Sequence, residues 1–351
     1  MKEEILSERE RRVLEAVVQT YVETAEPTGS QTVARRLGLG ISPATIRTTM
    51  SDLEEKGYLN HPHTSAGRVP TDLGYRHYVD TLLTQPRPVV PATEEIRWEL
   101  KSADRSGVEL LLHRAAQLLG LLTSELGMAI GPGLTEAILD GIELVPITEG
   151  RILLVLELRT RGPRTVFVDV PAHVSPGALI AVAQVLNERL CGHSLAAVRA
   201  TLAERLRDAA PEGDRGASEL LNVFIQSADG WLDPSAGANL LLGRASVLAD
   251  QPEFQSGERL KGLLELTERP DLLTSTLSPR IGSAGLTISI GNEHADPALR
   301  GFTIITSGYH AGDLRGVIGV MGPTRMPYER IISLVEGTSS LVSEFLTGQF
   351  V

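Results

Sequence analysis

Residues 30–57 constrain the fold of this chain more than any other stretch. Val33, Ala34 and Leu37 recur at helical spacing behind Ser30, which suits an N-cap for a short helix over about 31–37. Gly38-Leu39-Gly40 breaks that period. Ser42-Pro43 reopens it, with Ser as a good N-cap and Pro at home in the first helical position, and Gly57 closes the new helix. Upstream, Ser7 and Glu10 have the form of a capping box for a helix over about 8–23, with Val13, Leu14, Val17, Val18 and Tyr21 on its inner side. Pro27 and Gly29 end the connection to the next helix. Two short helices about a Gly-containing turn form a helix-turn-helix unit. Leu59–Pro70 carries Pro62 and Gly67 between extended pieces and suits a β-hairpin wing. Thr71–Leu83 predicts one more helix, with Leu73, Tyr75, Tyr78, Val79 and Leu82 near its inner side.

At about 100° per residue, Ile46, Met50 and Leu53 fall on one side of the third helix and Ala44, Thr48 and Ser51 on the other, flanked by Arg47 and Thr45. A small, polar, nearly uncharged face with one arginine suits entry into a DNA major groove. There Arg47 can fork onto guanine, and the methyl groups of Ala44, Thr45 and Thr48 can meet thymine. Ser42, Thr45 and the free N–H groups at the helix start can hold phosphates. Arg35 and Arg36 end the second helix, where a backbone contact is expected. Gly57–Thr71 holds no acidic residue but includes His61, His63 and Arg68. The same periodicity also fits a small helical bundle with a solvated outer face. His61 and His63 as a metal pair would need further ligands, and no Cys or clustered carboxylate lies nearby in the sequence.

Beyond this segment, Pro86, Pro88 and Pro91 mark a linker. A helical stretch over about 94–124 is expected to break near Gly107. Strand-like runs follow at Met128–Ile130, Ile142–Ile147, Ile152–Leu158 and Thr165–Val170, then helices at Ser175–Leu190 and Leu195–Leu206. Leu220–Gly243 has no clear period. Further strands are predicted at Leu286–Ile290, Phe302–Ser307 and Val317–Met321. A helix over about 327–346 turns Ile331, Leu334, Val335, Thr338, Leu341, Val342 and Phe345 inward. The pattern is α+β: a mostly antiparallel sheet packed by helices on one face, interrupted by a helical segment near 180–260.

The net charge of −11 argues against a protein that coats nucleic acid at large, but a specific reader needs only a positive contact face. The single cysteine, Cys191, excludes an intramolecular disulfide and fits packing in a reducing compartment. The chain opens without an apolar signal core, and no run of about 18 apolar residues exists, so no membrane span is expected. No Gly-x-Ser-x-Gly elbow, metal-ligand cluster or paired Cys/His signature is present, so no catalytic residues, cofactor or metal are expected. Gly131-Pro132-Gly133 lacks the Gly-Lys-Ser/Thr ending of a phosphate loop and reads as a turn. A ligand-sensing regulator and a protein-binding adaptor are the rival classes. A ligand would raise thermal stability, and an adaptor would keep its partner when Arg47 is truncated.

Four motifs together carry a resemblance: Glu26-Pro-Thr-Gly-Ser30; Ser42-Pro-Ala-Thr-Ile-Arg47; His63-Thr-Ser-Ala-Gly-Arg-Val-Pro-Thr71; and Gly74-Tyr-Arg-His-Tyr-Val-Asp80. With Ile290-Gly-Asn-Glu293, Gly319-Val-Met-Gly-Pro-Thr-Arg-Met326 and Tyr328, the chain resembles the heat-inducible transcription repressor family HrcA across nearly its whole length. It departs from the usual family residues at Thr48 (Asn), Thr28 (Val) and His294 (Asn), and residues 175–260 match weakly.

The resemblance implies a three-part architecture. A winged helix-turn-helix over 1–83 and a linker over 84–102 precede a GAF-like α+β domain over 103–180 and 262–351, split by an inserted α/β dimerisation domain over 181–261. It implies a cytoplasmic homodimer that binds an inverted-repeat operator in double-stranded DNA upstream of chaperone operons. Such a protein represses the chaperonin and DnaK systems and depends on the chaperonin GroEL for its active state.

Overall fold

The computed structural model describes residues 6–349 except 39–40, 63–66, 86–91, 102–107, 132–136, 160, 172–173, 208, 210–213, 233–239, 250, 256, 284 and 312–313. The chain divides into two compact units. The larger comprises Met1–Ile130, Leu240–Tyr309 and Val317–Val351, and the smaller comprises Gly131–Asn239 and His310–Gly316.

The larger unit opens with α1 (Glu8–Thr24), started by the expected capping box: Glu10 N donates to Ser7 Oγ and Ser7 N to the Glu10 carboxylate. Val13, Leu14, Val17 and Val18 are buried, as the spacing predicts. The next helix, α2 (Ser30–Leu37), begins one residue earlier than expected. Ser30 lies within the helix, and Gly29 is an N-cap without a side-chain bond. Ser42 caps α3 (Pro43–Glu55) through Thr45 N. Strands β1 (Leu59–Asn60) and β2 (Val69–Pro70) pair antiparallel. Thr71 Oγ1 then caps α4 (Asp72–Leu83). Leu73, expected inward, is 42% exposed, because α4 buries the face made by Gly74, Tyr75, Tyr78 and Val79 instead.

The expected linker over 84–102 contains a helix, α5 (Ala92–Lys101), with Ile96 and Leu100 fully buried. The proline-rich stretch 86–91 lies outside the described residues. Helix α6 (Val108–Thr123) and the wholly buried strand β3 (Leu126–Ile130) follow.

The smaller unit is built on three antiparallel strands, β4 (Leu139–Thr148), β5 (Arg151–Leu158) and β6 (Arg161–Asp169). Alternation along β5 turns Ile152, Leu154, Leu156 and Leu158 into a core. Helices α7 (Pro176–Leu190), α8 (Leu195–Leu206) and α9 (Arg215–Gln226) cover that core with Leu186, Val198, Leu202 and Phe224. A short α10 (Ala228–Trp231) seats Trp231, whose indole N–H donates to Phe224 O at 3.0 Å.

The interruption is therefore not the helical segment 180–260 of the sequence reading. It carries its own sheet and runs from Gly131 to Asn239. Strand runs at 142–170 look alike whether they join a distant sheet or pair among themselves. Here β4–β6 pair only with one another among the described residues.

Strand β7 (Leu240–Leu242) returns the chain to the larger unit, followed by α11 (Gly257–Thr267), α12 (Pro270–Leu277), β8 (Leu286–Ile290), β9 (Phe302–Ala311), β10 (Leu314–Pro323) and α13 (Tyr328–Gln349). The five-stranded sheet has the order β7-β3-β10-β9-β8, with Met128 opposite both Leu242 and Gly319. Helices α5, α6 and α13 pack together. Thr338, turned inward on α13 as predicted, is fully buried and satisfied by donating to Leu334 O at 2.7 Å. The whole is a mixed α/β protein of the α+β type.

Candidate nucleic-acid interface

The first 83 residues bring most of the expected contact residues to one region. On α3, Ile46, Thr49, Met50 and Leu53 are buried against the segment's core, which fixes the rotation of the helix. Ala44, Arg47 and Thr48 are then exposed, and Ser51 and Thr45 are partly exposed at the edge of the same face. The hydroxyls of Ser42 and Thr45 lie 2.9 Å apart, and Thr45 N donates to Ser42 Oγ at 3.1 Å. Both side chains thus belong to the cap, and with Pro43 lacking an N–H and Ile46 N bonded to Ser42 O, Ala44 N is the first-turn donor left over. Thr48 Oγ1 donates to Ala44 O at 3.3 Å.

The cations divide sharply. Among the described residues, nothing hydrogen-bonds or ion-pairs with the Arg47 guanidinium, and Arg35 reaches only the Gln31 carbonyl of its own helix, at 3.5 Å. Arg36 is committed: it forks onto Glu23 at 2.6 and 2.8 Å and ties α2 to the last turn of α1. Glu23's carboxyl is held below the usual range by that guanidinium. Arg68 is likewise committed, pairing with Glu54 of α3 at 2.7 Å with 19% of its side chain exposed. By sequence Arg36 and Arg68 are candidates for DNA contact; in the structure each has a partner inside the fold. His63 lies outside the described residues, and His61 is half-buried.

Two features here escape sequence reasoning. First, Thr28 and Arg68 form a β-bridge that joins the lead-in of α2 to the arm. Gly67 permits it, since a Cβ there would stand 2.4 Å from the Thr28 carbonyl. Second, Lys56 Nζ meets Glu10 at 2.8 Å, closing α3 onto the start of α1 and, with the Ser7 bonds, holding the Glu10 carboxyl down to about 2. Neither leaves a local sequence signal, because each joins residues far apart in the chain.

Among the described residues, no group of three or more His, Cys, Asp or Glu is placed to hold a metal ion, and no helix is long and apolar enough to cross a membrane.

Residues 109–332 match the profile of the HrcA protein C terminal domain. The heat-inducible transcription repressor HrcA of Chlorobium phaeobacteroides (strain BS1) is 36% identical over 355 residues, covering 97% of this chain and 99% of that protein. The chain belongs to the HrcA family. The HrcA of Geobacter sulfurreducens is also 36% identical, over 98% of this chain and 99% of its own. That of Symbiobacterium thermophilum is 35% identical over 97% and 98%. HrcA proteins are heat-inducible transcription repressors, not enzymes, which sets this chain among repressors of the heat response. A crystal structure titled only as a hypothetical protein shares the fold, with a TM-score of 0.63 at 24% identity over 98% of this chain and 100% of that one.

Proposed function

We propose that this HrcA-family chain is a cytoplasmic, dimeric repressor of chaperone operons that reads an inverted-repeat operator with α3. The exposed face of α3 carries the reading: Ala44, Arg47 and Thr48 stand clear of the fold, and Arg47 is uncommitted among the described residues. Residues 1–83 act as a winged helix-turn-helix, with α2 crossing the DNA backbone and α3 entering the major groove. Arg47 forks onto a guanine. Arg35 and the first turn of α3, with Ser42 and Thr45, meet phosphates. Thr48 and Ala44 touch base methyls, Ser51 lines the edge of the contact, and the Arg68–Glu54 pair stiffens the wing. Arg36, paired with Glu23, sets the pitch of α2 and turns outward only if that pair opens.

The α5–α6–α13 layer on the five-stranded sheet serves as a GAF-like body, and the unit 131–239 as the inserted dimerisation domain. On that unit's three-stranded sheet, Val145, Leu153 and Phe167 stand in one cross-strand row on the face away from the helices, with Phe167 62% exposed. A second copy of the chain would cover this row.

Repression then depends on the fraction of protein in the competent fold. GroEL raises that fraction. Heat draws the chaperonin to unfolded chains and lowers it, so the folding equilibrium itself is the sensor and no ligand is required.

A reporter driven by a chaperone-operon promoter tests this in cells. Repression at the growth temperature that is relieved by heat, and strengthened by excess GroEL, is expected. A reporter indifferent to the presence of this gene would sink the proposal.

A further inference from the structure

Arginines hold the DNA-reading segment to the remainder of the larger unit at two separate points, Arg76 by a fork that crosses between them and Arg325 by a bond to α1. Arg76 on α4 sends Nε to Glu293 Oε1 at 2.6 Å and Nη2 to Glu293 Oε2, and also reaches Ile288 O at 2.9 Å. One turn earlier, the Asp72 carboxylate accepts from Asn292 N at 2.9 Å and Asn292 Nδ2 at 2.7 Å. It sits over Gly291, whose φ is +51° and where a Cβ would lie 2.2 Å from that carboxylate.

The second arginine lies on the body, and its fork stays within the body. Arg325, between β10 and α13, holds Glu253 through Nε and Nη2 at 2.5 and 2.9 Å, and its Nη1 donates to Val22 O in the last turn of α1 at 2.8 Å. The next residue along α1, Glu23, is the partner of Arg36 on α2.

Between the forks, Tyr75 and Tyr78 pack on Tyr328 with ring centroids 5.8 and 6.5 Å apart. Aromatic packing of this kind resists separation and is weakly directional. A planar guanidinium forked onto a carboxylate is directional: the Arg76 fork crosses from α4 to the body, and the Glu253 fork within the body aims the Arg325 bond at α1, so the two links together remove the remaining pivot. Arg76 and Arg325 are only 24% and 14% exposed, so water and salt screen them little.

We infer that Arg76 and Arg325, with Glu293, Asp72 and Glu253, are positioning residues for operator recognition. They touch no DNA, but they fix the angle at which α3 is presented, and so they set the half-site spacing that a dimer accepts. This rests on the dimeric inverted-repeat reading above.

Operators with the native spacing, with about 5 bp inserted (roughly half a helical turn), and with a single half-site test it on the full-length protein. The wild type should prefer the native spacing by ~10-fold or more, as a rigid pair of heads does. In Arg76→Ala/Arg325→Ala that ratio should fall to about 2-fold while single half-site affinity stays within about 2-fold of wild type. The swap Arg76→Glu/Glu293→Arg in the Arg325 background should restore most of the preference. If the double alanine variant fails to fold, Arg76→Lys/Arg325→Lys keeps the charges, loses the forks, and should show the same loss of preference. Undiminished spacing preference in a folded variant, or tighter binding to every operator, would overturn the inference. A wild type that binds no half-site specifically would instead sink the operator reading, and this inference with it.

Discussion

Thr28 and Arg68 exchange both backbone hydrogen bonds, Thr28 N to Arg68 O at 2.8 Å and Arg68 N to Thr28 O at 2.9 Å, and so fasten the β-arm to the lead-in of α2. The Thr28 side chain plays no part in that bridge. It is 2% exposed, and its hydroxyl meets no partner among the described residues. A buried unsatisfied hydroxyl costs about 1–3 kcal/mol. Thr28→Val keeps the shape and removes the hydroxyl, so it should stabilise the protein by ~1 kcal/mol in urea unfolding. A loss of stability would mean that the hydroxyl has a partner.

Asn187 performs for the smaller unit what the bridge does for the first. From α7 it accepts from Ile142 N at 2.9 Å and donates to Ile142 O at 2.7 Å, satisfying both backbone groups on the outer edge of β4. Asn187→Ala strands those groups and should destabilise this unit by roughly 2–3 kcal/mol. Trp231 reports it directly, because it is 1% exposed in the same core, whereas Trp98 is 71% exposed and its emission should change little. An unchanged unfolding midpoint would show that water replaces the amide without loss.

Burial raises the Glu125 carboxyl well above the usual range, against a hydrogen bond from Gln251 at 3.1 Å. A raised acid binds its proton more tightly folded than unfolded, so its contribution to stability is fully present below about 4.5 and is lost as pH rises through the folded value. Glu125→Gln is spared that loss. The gap in Tm between variant and wild type should open above pH 4.5, in the variant's favour, and flatten once the folded group has ionised. A gap independent of pH would refute this assignment.

Phe167→Asp tests the proposed dimer face. Phe167 carries the Arg151 guanidinium 5.7 Å from its ring centroid and sits at the end of the row with Val145 and Leu153. The variant should sediment as a monomer and lose affinity for the full operator while keeping that for one half-site. A dimer of unchanged strength would move the interface elsewhere.

What the sequence made legible were elements whose signals are local. Ser7 and Glu10, and Ser42 with Pro43, announce their helix starts, and the spacing of Ile46, Met50 and Leu53 sets the exposed face of α3. Contacts between distant residues were not legible. Arg36 and Arg68 look like surface cations until Glu23 and Glu54 are brought to them. Strands β4–β6 read as part of a larger sheet because periodicity states that a strand has a buried face, not which strand lies beside it. The spacing points Leu73 inward because α4's true inner face is built around Gly74, whose lack of a side chain weakens the apolar stripe that would reveal it.

The central claim is that α3 reads bases through Arg47. Binding of the purified protein to an inverted-repeat chaperone operator and to scrambled DNA of equal length, across a salt series, tests it most directly. Wild type should prefer the operator with a steep salt dependence. Arg47→Ala should lose about 1–3 kcal/mol of that preference while its weak, salt-sensitive binding to scrambled DNA is nearly unchanged. An operator preference that survives Arg47→Ala intact would contradict the account.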